Sequence, residues 1–163
     1  MATEVISTLS TRFIGNANNY ETFAAWQSAQ ARDLVAADEQ ETLIFYDDWE
    51  AGLDARLEPS ASWAGDDTHF VKIMAASGEE AKPDGTGAWI KLTTGLINAG
   101  VVWFRASITA PFYFQNFGIE VITSDTDTSA IFVNPSINNT IYMDGMILSH
   151  LGVSEARCLR MSG

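Results

Sequence analysis

Two pairs of adjacent carboxylates are the side chains of this chain whose type best suits acid/base chemistry. They are Asp47–Asp48 and Asp66–Asp67, and a pair of carboxylates is the usual apparatus of glycoside cleavage. Adjacent residues of a strand point to opposite faces, however, so neither pair is a pair in space where its segment is extended. Both pairs also sit beside Trp or Gly, where turns are expected. We therefore interpret them as solvated turns, and an enzyme that cleaves glycans through Asp47 or Asp66 remains one alternative.

Other candidate ligands and nucleophiles lack the neighbours that their chemistry requires. Asp125 and Asp127 form a fragment of a calcium loop without its third ligand, its Gly and its closing Glu. His69 and His150 have no His, Cys or carboxylate at metal-ligand spacing, and Cys158, as the single cysteine, cannot form an internal disulfide. No nucleophile elbow or phosphate loop occurs in the sequence. The sequence thus predicts no catalytic, cofactor-binding or metal-binding residue, and a protein that is not an enzyme.

The chain of 163 residues is strongly acidic, with a formal net charge of −12. Its nine Lys and Arg residues are too few to neutralise phosphates along a nucleic acid, so nucleic-acid binding is not expected. No apolar run approaches the ~20 residues of a membrane span, and the N-terminus lacks the basic and apolar regions of a signal peptide. We expect a protein that is made in a cytoplasm and has no membrane partner. Its acidity favours solubility at high copy number or docking to a basic surface.

The elements that would position any site are mostly short strands. From Ala99 onward, runs of four to nine residues are rich in β-branched and aromatic side chains and are bounded by Gly, Pro, Asn, Asp or Ser. Earlier strands are predicted at 42–48 and within 69–75. Residues 78–87 are predicted to form a loop with a turn at Pro83-Asp84-Gly85.

A single helix is predicted at about 22–38. Thr22 is a good N-cap, and Phe23, Trp26 and Leu34 fall on one face at helical spacing. In a chain rich in strands, such a helix is expected to cap one end of the sheet stack with this apolar face, which makes Trp26 a core residue.

Residues 1–19 are polar and rich in Asn, Ser and Thr, which predicts an extended N-terminal arm ahead of a single mostly-β domain at 20–163. Such an arm orders only against something else. Arg12, Phe13 and Ile14 are its residues best suited to anchor it on a partner.

Tryptophans are the other candidate contact residues. Trp49, Trp63, Trp89 and Trp103 are spaced by 14, 26 and 14 residues, and a Trp on a strand face at a subunit seam is a good anchor. We predict partner contacts for Trp63, Trp89 and Trp103 in addition to those of the arm.

A weak internal repeat relates two segments of the C-terminal region. Residues 113–119 align with 141–147 at an offset of 28, which matches Asn116 to Asp144 and Ile119 to Ile147. Repeats of this length indicate coils that stack on one another. An antiparallel β-sandwich remains the alternative.

Three motifs follow one another between residues 20 and 74. The first is Tyr20-Glu-Thr-Phe-Ala-Ala-Trp26 with Gln-Ala-Arg-Asp-Leu34 behind it, the second is Phe45-Tyr-Asp-Asp-Trp-Glu-Ala-Gly-Leu-Asp54, and the third is Trp63 followed by Thr68-His-Phe-Val-Lys-Ile73. In this order they resemble the opening module of bacteriophage and prophage proteins with a right-handed β-helix. Residues 101–150 are similar to such proteins only in style, as β-helix coils.

The resemblance implies a mainly β fold that forms a short right-handed β-helix with one N-terminal α-helix. The residues alone also leave open a compact β-sandwich with the same N-terminal α-helix. It implies a virion structural protein, and we expect a homotrimeric capsid decoration (cement) protein that bridges major capsid proteins on the capsid surface. The alternative is a tail-fibre or tailspike-type adhesin module that binds host surface glycan through exposed aromatics. A cellular binding module of related fold also remains open.

Overall fold

The computed structural model describes residues 1–49, 52–53, 56–59, 62–92, 100–104, 108–123, 129–133, 140–152 and 157–161. The chain is mainly β, as the sequence predicts. In chain order its elements are β1 (Thr3–Leu9), β2 (Asn19–Tyr20), α1 (Phe23–Gln30), α2 (Leu34–Ala37), β3 (Glu39–Phe45), β4 (Val71–Ala75), β5 (Trp89–Leu92), β6 (Gly100–Phe104), β7 (Phe112–Gln115), β8 (Gly118–Thr123), β9 (Ser129–Val133), β10 (Ile141–Asp144), β11 (Ile147–Gly152) and β12 (Arg157–Met161).

The strands form three sheets in which every neighbouring pair is parallel. The largest has the order β10-β7-β4-β3-β1-β2, and the other two have the orders β11-β8-β5 and β12-β9-β6. Three consecutive groups, β4–β6, β7–β9 and β10–β12, therefore contribute one strand to each sheet. Parallel neighbours cannot be joined by tight hairpins, which is why the chain visits the other two sheets before it returns to the first.

The register corrects the predicted repeat by one residue. Phe112 pairs with Ile141 and Gly118 with Ile147, a spacing of 29 residues, whereas Ser129 pairs with Arg157 at a spacing of 28. A slip of one residue turns every side chain of a strand to the opposite face. At the observed register Ile141 and Met143 align with the buried Phe112 and Phe114, and Tyr142 aligns with Tyr113.

The N-terminal segment is part of the large sheet, which corrects the prediction of an arm at 1–19. β1 pairs with β3 along its whole length, from Thr3 opposite Glu39 to Leu9 opposite Phe45, and β2 pairs with the end of β1. Ser7 and Leu9 are buried by this pairing. The segment is extended, as expected, but its partner is its own chain.

The predicted helix at 22–38 is two shorter helices. Thr22 caps α1 by accepting a hydrogen bond from the amide of Ala25 at 3.1 Å, and Phe23 and Trp26 are buried, as predicted. The helix ends at Ala31, which is extended. Asp33 then accepts a hydrogen bond from the amide of Ala36 and starts α2, because a short acidic side chain competes for backbone amides and favours a new N-cap over a helix interior.

One hydrophobic core lies between the three sheets. The inward side chains of each sheet stack in register, with Phe112 and Phe114 on β7, Ile90 opposite Ile119, and Val102 opposite Ile131. Helix α1 closes onto this core through Trp26, whose ring centre lies 5.4 Å from that of Trp63. No helix among the residues that the structure describes is long and apolar enough to cross a membrane.

Candidate functional site

The outer face of the six-stranded sheet carries a partly exposed row of aromatic side chains. Along β7, Phe112 and Phe114 point into the core, so the alternate residues Tyr113 and Gln115 point outward. The register places Tyr113 between Lys72 of β4 and Tyr142 of β10. Parallel, in-register pairing thus builds the row from residues far apart in sequence.

The rings of this row are in direct contact. The centre of the Tyr113 ring lies 4.3 Å from that of Tyr142, and the two planes differ by only 11°. On the other side, Phe70 lies 4.6 Å from Tyr113 at an angle of 53°. Tyr142 is 44% exposed and Met143 beside it is 41% exposed. Tyr142 therefore presents aromatic surface to solvent outside the core, and Met143 presents apolar surface beside it.

Hydrogen-bonding side chains flank the rings and complete a groove of about 420 Å³. We call it the aromatic groove, and its outward-facing side chains are Phe70, Lys72, Tyr113, Gln115, Tyr142 and Asp144. The Gln115 amide donates a hydrogen bond to Asp144 at 3.3 Å. Burial raises the pKa of Tyr113, and the nearby Tyr142 and Asp67 raise it further, so its hydroxyl stays protonated and able to donate at neutral pH.

This arrangement suits a ligand with both apolar faces and many hydroxyl groups. The negative face of an aromatic ring attracts the C–H groups of a pyranose face, while carboxylate, amide, ammonium and phenol groups at the rim bind hydroxyls. Such a few polar groups around an apolar surface are typical of small-ligand sites. Nucleobases also stack on aromatics, but the net charge of −12 disfavours a phosphate backbone.

The carboxylate pair at 47–48 lies beside a second groove, of about 370 Å³. Asp48 is already engaged, because the Ser10 hydroxyl, the Thr11 amide and the Arg12 guanidinium all bind its carboxylate. The main-chain amide of Asp47 donates to Glu79 at 2.8 Å. The Asp48 side chain is therefore buried and holds the start of the loop after β1, whereas the sequence analysis expected a solvated turn.

One carboxylate of the second pair, Asp66, contacts His69 together with Asp38, whereas the sequence analysis found no carboxylate at metal-ligand spacing from His69. Its Nδ1 lies 2.7 Å from Asp66 and its Nε2 lies 3.2 Å from Asp38. The hydrogen bond from His69 lowers the pKa of Asp66 to about 2, and the two carboxylates raise the pKa of His69. The amides of Thr68 and His69 also donate to Asp66, so this cluster closes a surface turn, and no group of three ligands suited to a metal occurs among the described residues.

The three residues assigned to an N-terminal anchor lie on the loop after β1. Arg12 pairs with Asp48 and Glu79 and donates to the carbonyl of Asp47. Its charge is therefore already neutralised by carboxylates of the same chain. The Phe13 ring rests edge-on against another ring of the same chain at 5.1 Å. Only Ile14, which is 69% exposed, presents apolar surface to solvent.

The three predicted tryptophan contacts lie in different surroundings. Trp63 is fully buried between Trp26 and Phe112, and a side chain without exposed surface cannot contact a partner while the core is intact. Trp89 is buried as well, and its indole donates to a main-chain carbonyl. Trp103 is partly exposed, and the Arg56 guanidinium lies 5.0 Å from its ring centre. The assignment of Trp63 and Trp89 is thus corrected, because Trp63 fills the core and Trp89 is covered by Lys91, Gly118 and other parts of its own chain.

Sequence analysis missed the aromatic groove, although a signal for it is present. Tyr113 and Tyr142 occupy equivalent positions of the internal repeat, but the offset of 28 aligned Tyr113 with Ile141. The calcium-loop fragment at 125–127 lies outside the described residues. Comparison of the chain with protein-family models, curated proteins and solved structures finds no match, so the resemblance to phage β-helix modules stays a prediction.

Proposed function

We propose that this chain is a glycan-binding module of a virion, of the tail-fibre or tailspike adhesin type, in which the aromatic groove holds the sugar. The single observation that carries the proposal is the partly exposed row of Phe70, Tyr113 and Tyr142 with hydrogen-bonding side chains at its rim. The assignment to a virion, made in the host cytoplasm, rests on the resemblance of residues 20–74 to phage modules.

We further propose that the three sheets are the walls of a short right-handed parallel β-helix. Two features support it: all pairings between the named strands are parallel, and three successive strand groups add to the sheets in the same order. Right-handed connection between parallel neighbours in one sheet is the rule in about 98% of cases. A β-sandwich is built from antiparallel sheets, which this pairing does not favour.

The geometry of the groove supports a sugar better than an apolar partner. A protein interface core is depleted in charge, whereas an ammonium and a carboxylate, those of Lys72 and Asp144, line this groove. Polar groups around a ring face instead match a sugar, which presents C–H groups on its faces and hydroxyls around its edge.

A glycan array probed with the full chain and two variants tests the proposal. Tyr142→Ala removes the most exposed ring of the groove, and Tyr46→Ala is the matched control, because Tyr46 is a partly buried tyrosine that contacts Phe13 outside the groove. We expect binding by the wild type and the control and loss of binding by Tyr142→Ala. Equal binding by all three proteins would remove the groove from the function, and the absence of binding to any glycan would overturn the proposal.

Capsid decoration is a second candidate, favoured by apolar surface on another sheet. Ile122 of β8 and Leu151 of β11 are cross-strand partners, and they are 36% and 53% exposed. Such a pair suits a homotrimer seam or a contact with the major capsid protein. Quantitative mass spectrometry of purified particles separates the two roles, since hundreds of copies per virion support decoration and a handful support a tail location.

A further inference from the structure

The aromatic groove contains a cation without a counter-ion in the described part of the chain. Lys72 lies at the centre of β4 and points outward into the groove. Its cross-strand neighbours, Thr42 and Tyr113, carry no charge at neutral pH. No carboxylate that the structure describes forms an ion pair with it.

Most other cations of the described surface are paired with carboxylates, and Lys82, which forms no ion pair with a described residue either, lies in a turn outside the groove. Arg12, Arg32, Arg56 and Lys91 each lie within 4.0 Å of a carboxylate oxygen. With 21 acidic and nine basic residues in the sequence, carboxylates are abundant, so a lysine left unpaired inside a ligand-sized groove is available to a ligand. Its four-carbon stem can lie along the groove wall while the ammonium meets the ligand.

We propose that the groove selects an acidic sugar, whose carboxylate pairs with the Lys72 ammonium while its ring packs against the Tyr113–Tyr142 row; this inference rests on the proposed glycan-binding function. One ammonium matches one negative charge. A carboxylate therefore suits the groove better than a doubly charged phosphate, because Asp144 also lines it and repels excess negative charge.

The net charge of −12 does not oppose this selection at contact distance. Repulsion between the ligand and distant carboxylates is screened beyond about 8 Å at physiological ionic strength. The Lys72 charge acts within a hydrogen bond, where charge-assisted contacts are about twice as strong as neutral ones. Because salt also screens the attraction between the sugar carboxylate and the Lys72 ammonium, we predict that binding of the acidic sugar weakens as salt is added.

The test compares polygalacturonate, a polymer of acidic sugars, and the acidic glycans of the array with the same glycans after reduction of each carboxyl to an alcohol. Reduction keeps the ring and its hydroxyls and removes only the charge. The variants are Lys72→Gln and, as a matched control with the same change in net charge, Lys82→Gln, whose lysine is exposed in a turn outside the groove.

We expect the wild type and Lys82→Gln to bind at least one acidic glycan about tenfold or more tightly than its reduced form, and Lys72→Gln to lose this preference. Equal affinity of the wild type for both forms, or an equal loss for both forms in Lys72→Gln, would overturn the selection of an acidic sugar but leave glycan binding intact. If the wild type binds neither form of any glycan, the proposed function itself fails, and this inference fails with it.

Discussion

The two faces of the six-stranded sheet are built from the same strands but differ in what their aromatic residues do. On β7, Phe112 and Phe114 have almost no exposed surface and fill the core, while Tyr113 between them lies in the groove. The inner face fills the core, and the outer face leaves Tyr142 exposed to solvent. The side chains of a strand alternate between the two faces, and this alternation decides which aromatic residues are exposed. Residue type alone does not show which aromatic residues are available for recognition.

The largest expected effect is on the inner face. Phe114→Ala removes a buried ring that packs against Phe104, Phe112 and Phe117. We expect the free energy of unfolding to fall by about 3–5 kcal/mol, because the lost burial is joined by a cavity. Urea unfolding followed by tryptophan fluorescence measures it. A loss below about 1 kcal/mol would contradict the assignment of this face to the core.

A buried carboxylate on the same face provides the next test. Glu41 accepts hydrogen bonds from Ser7 at 2.6 Å and Trp26 at 3.0 Å and pairs with Arg32. Glu41→Ala leaves these donors without their partner and is expected to cost about 3 kcal/mol. Glu41→Gln is the matched control, since its amide oxygen still accepts hydrogen bonds and its cost should be smaller.

The same residue predicts a pH dependence. Burial raises the pKa of Glu41 above its usual value of 4.5, so the folded chain binds this proton more readily than the unfolded chain. The contribution of Glu41 to the free energy of unfolding therefore falls as pH rises from about 4.5 through the raised pKa. Subtraction of the Glu41→Gln profile from that of the wild type isolates this contribution, and a difference that rises with pH in this range would contradict the account.

A smaller effect is expected at the bend that follows the outer row on β10. Gly145 has φ of 60°, and a Cβ there would overlap the side-chain oxygen of Asn116. Gly145→Ala should cost about 1–3 kcal/mol. Gly15→Ala is the matched control, because Gly15 also has positive φ but open space around it; equal costs in thermal unfolding would mean that the overlap with Asn116 contributes nothing.

The sequence predicts most strands and the helix start because these depend on local patterns. The alternation in Phe112-Tyr-Phe-Gln115 and the N-cap at Thr22 are both readable without tertiary structure. The place of Thr3–Leu9 in the sheet is not, because it depends on pairing with β3, more than 30 residues away. A polar strand looks like a frayed terminus until its partner is known.

The candidate site was harder to predict than the fold for a related reason. It consists of residues from β7, β10 and the start of β4 that only the register brings together, and an error of one residue in the repeat misaligns them. Trp63 and Trp89 were predicted as contacts, but large aromatic side chains also bury much area within their own chain, as both do here.

The most direct test of the account measures glycan affinity and stability together in Tyr142→Ala. Because the ring is 44% exposed on the outer face, we predict that the free energy of unfolding changes by less than about 1 kcal/mol, while affinity for a glycan bound by the wild type falls about tenfold or more. Unchanged affinity, or a loss of affinity that only follows a loss of folded protein, would contradict the division of the sheet into a folding face and a binding face.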